Sequence, residues 1–177
     1  NKEKGIIELI QAVSKLDRDD FRLVIVGNYF YNTSVKNTFT KQLDELINKN
    51  QSKIIFTGYV DYCDIDKLYK IADFAVLPSI WDDPAPLTII ESLQCGLPLI
   101  TTYSGGIPEY AKEDYAILLK RDDKLVDNLI SKINYLLDNP LICEEMANKC
   151  IEVTKDWGSS RMFNDFVNLL QLGGNYE

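Results

Sequence analysis

Two carboxylates, Asp83 and Glu91, stand with seven residues between them, in a stretch running from Pro78 through Trp81 and Asp82 into a helical pattern that opens near Pro86 or Leu87. On that reading Glu91 lies about one turn inside the helix and Asp83 in the loop before it, so both can flank one pocket. A carboxylate accepts two hydroxyl hydrogen bonds at once, which suits the vicinal diol of a ribose or a sugar ring. The same spacing also fits a plainer arrangement, with Asp83 capping the helix and Glu91 solvated on its surface. The chain contains no histidine, which removes Ser-His-Asp and Cys-His catalysis. Any chemistry here must use carboxylates, lysine and backbone groups.

The elements that must position these residues follow from apolar periodicity. Ile6, Ile10, Val13 and Leu16 recur at helical spacing, and residues 21–26 form a β-rich run that closes at Gly27. Phe39, Leu43, Leu46 and Ile47 mark a second helix before a strand over 53–58. Asp64 or Asp66 is placed to cap a short helix through Leu68, Tyr69 and Ala72, after which residues 74–77 form a strand stopped by Pro78. A helix over 87–95 ends at Gly96, a strand over 97–102 runs into the turn Ser104-Gly105-Gly106, and residues 116–119 supply a last strand. From Leu125 onward the signal is helical only. Val126, Leu129, Ile130, Ile133 and Leu137 form one stripe, Asn139-Pro140 opens another helix, and Phe163, Phe166, Val167 and Leu170 make a third.

Short apolar strands alternating with helices predict a doubly wound α/β fold, with a parallel sheet covered on both faces and a helical C-terminal tail. At 177 residues we expect one domain, with its core over about 4–138 and C-terminal helices over about 139–172. The chain opens on Asn1 with a helical pattern close behind, which we read as the start of an excised piece. A formal net charge of -8 argues against a nucleic-acid partner, which needs counterion-releasing cations. No apolar run approaches the roughly 20 residues of a membrane span, and no signal peptide opens the chain. Cys63, Cys95, Cys143 and Cys150 lack metal-site spacing, so they are expected to be reduced residues filling a cytoplasmic interior, with no metal bound.

In parallel α/β sheets ligands gather at the carboxyl ends of the strands, next to helix N-termini whose free N–H groups suit a diphosphate. That rule selects Gly27-Asn28, Gly58-Tyr59-Val60, the loop from Pro78 to Pro86, and the run from Thr102 to Glu109.

At these residues the sequence resembles a known family. Pro78-Ser79, the Asp83 and Glu91 pair, Cys95-Gly96-Leu97-Pro98-Leu99-Ile100-Thr101 and Gly105-Gly106-Ile107-Pro108-Glu109 resemble the signature block of glycosyltransferase family 4, or group 1, whose fold is GT-B. Lys4-Gly5, the strand ending in Gly27, Phe56-Thr57-Gly58-Tyr59-Val60 and Leu68-Tyr69 with Ala72-Asp73 are similar to further motifs of that family, in its order. The resemblance covers residues 4 to 110 by motif. Three departures stand out: Asp83 replaces the usual Glu, Pro86 replaces a frequent Gly and removes one N–H, and the family's arginine, five or six residues before Lys-Gly, would fall before Asn1.

The resemblance implies the donor-binding half of a retaining glycosyltransferase that moves a sugar from a nucleoside diphosphate sugar to a glycan, lipid or other acceptor. It implies that Glu91 holds ribose hydroxyls, Asp83 the transferred sugar and Lys4 the diphosphate leaving group. Pro86, Leu87 and Thr88 would present phosphate at the helix N-terminus, and Gly58, Tyr59 and Val60 would lie against the base. Gly27, Asn28, Gly105, Gly106 and Glu109 would line the same rim. Such chemistry is metal-independent and uses no cofactor besides the donor; no metal-binding D-x-D stands in a fitting place. The acceptor-binding N-terminal domain would be absent, leaving this piece inactive alone, and the parent is compatible with peripheral membrane association. Two other readings share these residues: a non-catalytic nucleotide-sugar-binding module, and half of a GT-B epimerase. A dinucleotide-binding oxidoreductase would need G-x-G-x-x-G after its first strand, and Gly27 has no such follower.

Overall fold

The computed structural model describes residues 2–27 and 38–173. A 3-10 turn at Lys2–Lys4 leads into α1 (Ile6–Lys15), β1 (Leu23–Val26), α2 (Thr38–Lys49), β2 (Ile54–Gly58), α3 (Tyr62–Lys70) and β3 (Ala75–Leu77). Then come α4 (Leu87–Gln94), β4 (Leu99–Thr102), α5 (Ile107–Tyr110), β5 (Ala116–Leu119), α6 (Leu125–Asp138), α7 (Pro140–Thr154) and α8 (Ser159–Gly173).

Every strand pair is parallel, in keeping with helices between successive strands. The strands form two hydrogen-bonded sheets, β1-β2 and β3-β4-β5. In β4 the pleat turns Ile100 toward α1 and α6, where it joins Ile10, Val13, Leu129 and Ile133, and turns Leu99 toward Ile89, Leu93 and Cys150 of α4 and α7. Both faces of β3-β4-β5 are therefore covered, as the doubly wound class requires. The first cluster also takes in Ile54 and the partly buried Leu23 and Ile25, so one apolar layer joins the two sheets. The opposite face of β1-β2 stays exposed at Val24, Val26 and Ile55, which differs from the expectation of cover on both faces.

Local chemistry moves several boundaries. Strand β1 starts at Leu23, whose N–H donates to the Lys53 carbonyl at 2.8 Å; just before it the Arg22 guanidinium turns back onto the carbonyls of Asp19 and Phe21. Leu97 N–H closes α4 on the Ser92 carbonyl, so the β4 ladder begins after Pro98, which has no N–H to give. Asp61 caps α3, accepting from Cys63 N–H. Asp64 and Asp66 pair instead with Lys67 and Lys70 along that helix, which corrects the predicted cap. Asn139 opens α7 as expected, its carbonyl accepting from Cys143 N–H at 3.1 Å with Pro140 as the first helical residue, while its side chain donates to the Tyr135 carbonyl and closes α6. Cys143 and Cys150 are buried, whereas Cys63 is exposed on α3, so the cysteines do not all fill the interior. On α8 the apolar residues Phe163, Phe166 and Leu170 are exposed. No helix among the described residues is long and apolar enough to cross a membrane.

Candidate functional site

The site is built where the first turn of the chain meets the loop after β3. Gly5 has φ 70°, and a β-carbon there would run into the Pro78 carbonyl oxygen. Only glycine lets the backbone pass this closely in a left-handed conformation. The turn is held by Ile80 N–H, which donates to the Glu3 carbonyl at 2.9 Å, and by the Ser79 hydroxyl at 3.4 Å from the same oxygen. This contact carries Lys4 across to the loop, where its Nζ donates to Asp83 Oδ2 at 2.5 Å.

Asp83 is buried, while the Lys4 side chain is 46% exposed. The hydrogen bond from Lys4 holds the Asp83 carboxyl below its ordinary range, against the opposing effect of burial. Its other oxygen accepts from Ala85 N–H at 3.3 Å. The carboxylate thus does not cap α4; the capping position belongs to Pro86, whose carbonyl accepts from Ile89 and Ile90. The N–H groups of Leu87 and Thr88 have no hydrogen-bond partner among the described residues, as the first turn of a helix requires. That end of α4 can therefore receive an anion.

The loop is braced from below and behind. Thr102 donates its hydroxyl to the Ser79 carbonyl at 2.5 Å and meets Ser104 at 3.2 Å. Gly106 N–H donates to the Asp83 carbonyl at 2.9 Å. Gly105 has φ 51°, and a β-carbon there would strike the backbone of Asp83; one on Gly106 would strike the Pro84 carbonyl. The Gly-Gly pair is therefore a backbone-to-backbone splice between two loops.

Glu91 lies one turn into α4, half-buried, between Tyr62 and Tyr69 of α3, whose hydroxyls stand 3.5 Å from its two oxygens. Burial, with the nearby negative charge of Glu91 second, pushes the Tyr69 phenol above its ordinary range. A cavity of about 1770 Å³ reaches Lys4, Gly27, Pro86, Leu87, Thr88 and Glu91, with Tyr62 and Tyr69 on its wall, and continues between β1 and β3 where the two sheets part.

The structure thus brings Lys4, Asp83, Gly105 and Gly106 into one cluster and sets Pro86, Leu87, Thr88 and Glu91 beside it on α4. Gly27 and Gly58 meet at the ends of β1 and β2, where Gly27 N–H donates to the Gly58 carbonyl at 3.0 Å. Tyr59 is exposed and Val60 half-buried after β2; neither lines the cavity. Glu109 is exposed on α5 and lies off the cavity wall, as do Asp83, Gly58, Gly105 and Gly106, so of the two expected carboxylates only Glu91 lines the cavity. Asn28 lies outside the described residues. Among the described residues no three His, Cys, Asp or Glu side chains converge as metal ligands.

Sequence reasoning passed over three side chains. Tyr69 is marked in the sequence as a helix residue and part of a family motif but not as a site residue, and Tyr62 is not singled out, although it follows the strand end at Gly58 by four positions. Arg121, two residues beyond β5, donates to Asp82 Oδ1 at 2.6 Å. The carboxyl-end rule finds it when applied to the fifth strand as well.

The chain is similar in sequence and in fold to several known proteins. Spore coat protein SA of Bacillus subtilis (strain 168) is 28% identical over 141 residues, covering 78% of this chain and 37% of that protein. The GDP-mannose-dependent monoacylated alpha-(1-6)-phosphatidylinositol monomannoside mannosyltransferase of Corynebacterium glutamicum is 27% identical over 177 residues, covering 95% of this chain and 44% of that protein. Among solved structures, Anabaena Alr3699/HepE in complex with UDP-glucose superposes with a TM-score of 0.82 at 18% identity, over 97% of this chain and 46% of that one. A glycosyltransferase from Rickettsia africae gives 0.81 at 24% identity, over 100% and 46%. These likenesses show a shared fold, and the chain spans less than half the length of each of these four proteins. The model of the glycosyl transferases group 1 family matches residues 1–157, and the chain belongs to that family.

Proposed function

We propose that this chain is the donor-binding half of a retaining glycosyltransferase that uses a nucleoside diphosphate sugar. The observation that carries the reading is the meeting of Lys4 and Asp83 beside the open N-terminus of α4, with Glu91 one turn further in. The diphosphate would take the N–H groups of Leu87 and Thr88 and the ammonium of Lys4, which is exposed enough to swing from Asp83 onto a phosphate oxygen. Asp83 would then accept from hydroxyls of the sugar, and Glu91 would exchange its phenol contacts for the ribose diol.

In the reaction the bond from the anomeric carbon to the diphosphate would break with its electron pair leaving on the phosphate oxygen, and the acceptor oxygen would bond to that carbon on the same face, its proton passing to the released diphosphate. Positive charge builds on the sugar and negative charge on the leaving oxygen. Lys4 and the helix end act on the second of these, which lowers the barrier without a metal ion. Two relatives support the donor class by their descriptions: one structure holds UDP-glucose and one enzyme is GDP-mannose-dependent. The acceptor would be held by a second domain outside this chain, and a further cation would stand on the segment just ahead of Lys4, so the chain alone would bind donor weakly and transfer nothing.

Thermal unfolding of the chain with UDP, GDP and ADP and their sugar conjugates, all in EDTA, tests this. One nucleoside diphosphate should raise the midpoint without divalent metal. Stabilisation by none of them, or only with magnesium or manganese, would overturn the reading.

A further inference from the structure

The acidic loop carries two adjacent carboxylates, and the function just proposed uses only the second. Asp82 is the more exposed, yet it is held more elaborately than a surface residue needs to be. Arg121 spans two points of the loop, donating to the Ile80 carbonyl at 3.3 Å and to Asp82 Oδ1 at 2.6 Å. The same Asp82 oxygen accepts from Gly105 N–H at 3.1 Å, and the next glycine donates to the Asp83 carbonyl. A chain of contacts therefore runs from the end of β5, through Asp82 and the Gly-Gly splice, to the backbone of Asp83.

We propose that Arg121 is a positioning residue for the sugar subsite, acting through Asp82 and the Gly105-Gly106 turn to fix where the Asp83 carboxylate stands. The inference rests on the donor-site reading. It assigns separate work to the two cations of the loop. Lys4 is the mobile one, free to pass to an arriving diphosphate. Arg121 stays on Asp82, so the loop keeps its shape and one of its two negative charges stays neutralised while Lys4 is drawn away. Arginine suits this task because its planar fork bonds a carbonyl and a carboxylate together, which a single ammonium does less well. Nothing in this role touches the nucleotide, which lies along α4.

The test is calorimetric titration of the chain with UDP and UDP-glucose, and with GDP and GDP-mannose, for the wild type, Arg121→Gln, Arg121→Lys, Asp82→Asn and the Arg121→Gln/Asp82→Asn double variant. Arg121→Gln should leave the free nucleotide within twofold and weaken the sugar conjugate about three- to fivefold, the scale of an ion pair tied into a network. Arg121→Lys should recover part of that loss. The double variant should lose less than the sum of the two single ones, since both break the shared contact between Arg121 and Asp82. Equal weakening of nucleotide and conjugate, no weakening of either, or additive losses would overturn the proposal. A wild type that binds no nucleoside diphosphate sugar would remove the donor reading itself. The anchoring claim is then decided by amide exchange: Gly105 and Gly106 N–H should exchange about tenfold faster in Arg121→Gln, and unchanged protection would refute it.

Discussion

Replacing Gly5 with alanine puts the construction of the site under direct strain. At φ 70° an L-residue costs roughly 1–2 kcal/mol. The added β-carbon also overlaps the Pro78 carbonyl, and forcing backbone apart at such a contact costs about 1–3 kcal/mol more. The chain has one escape, which is to let residues 2–5 come away from the loop. That route gives up the two hydrogen bonds on the Glu3 carbonyl, at about 1 kcal/mol each, and strips a buried carboxylate of its lysine, about 1–3 kcal/mol more. Both routes lead to a loss of about 2–5 kcal/mol, read from urea unfolding at unchanged slope. Gly158→Ala is the control, because its β-carbon would meet nothing within 4 Å, and it should stay within about 0.5 kcal/mol of the wild type. If Gly5→Ala unfolds at the same urea concentration as this control, the close approach at Pro78 does not set the position of Lys4.

Further outcomes follow from the same geometry. The Asp83 carboxyl should titrate below its ordinary 3.8 in a carbon-13 NMR titration, and Lys4→Met should raise it, since burial is then opposed only by the hydrogen bonds from Ala85 N–H and Trp81. Because the folded value is lowered, the pair's stabilisation is complete above the unfolded value and is lost as pH falls through the folded one. Lys4→Met should therefore unfold at higher pH during acid denaturation, and an unmoved acid midpoint would count against the pair. Glu91→Gln should weaken a free nucleotide and its sugar conjugate alike by about 1–3 kcal/mol, whereas Asp83→Asn should weaken mainly the conjugate; equal losses in both variants would cancel this division of roles. A thiol reagent should modify exposed Cys63 in the native protein and reach Cys150 only on unfolding, because Cys150 is fully buried and its thiol is pushed up to about 12. Equal rates at the two cysteines would contradict the packing of α7 against α4.

What was legible in the sequence was whatever a short segment declares about itself. Apolar spacing in α1 and α6 and the β-rich runs around Ile25, Phe56 and Ile100 announce helix and strand, because each periodicity reflects one buried face. Their alternation implies parallel pairing, since successive parallel strands need a crossover between them. The Asp83 and Glu91 spacing and the Gly105-Gly106 turn could be marked as candidates from local pattern, whereas Lys4-Gly5 was marked only by the family resemblance. Why they are needed could not be read there. Gly5 is glycine because of Pro78, and Gly105 because of Asp83, partners whose nearness depends on how α1 and the loops after β3 and β4 pack. Lys4 and Asp83 are 79 positions apart, so their pairing is a property of assembled layers and of no local pattern. The same holds for Arg121 on Asp82, for the two tyrosines against Glu91, and for the parting of β1 from β3. Sequence periodicity states which face of a segment avoids water, while the partner for that face is chosen by competition among all segments for the same core, and only the folded chain records the outcome.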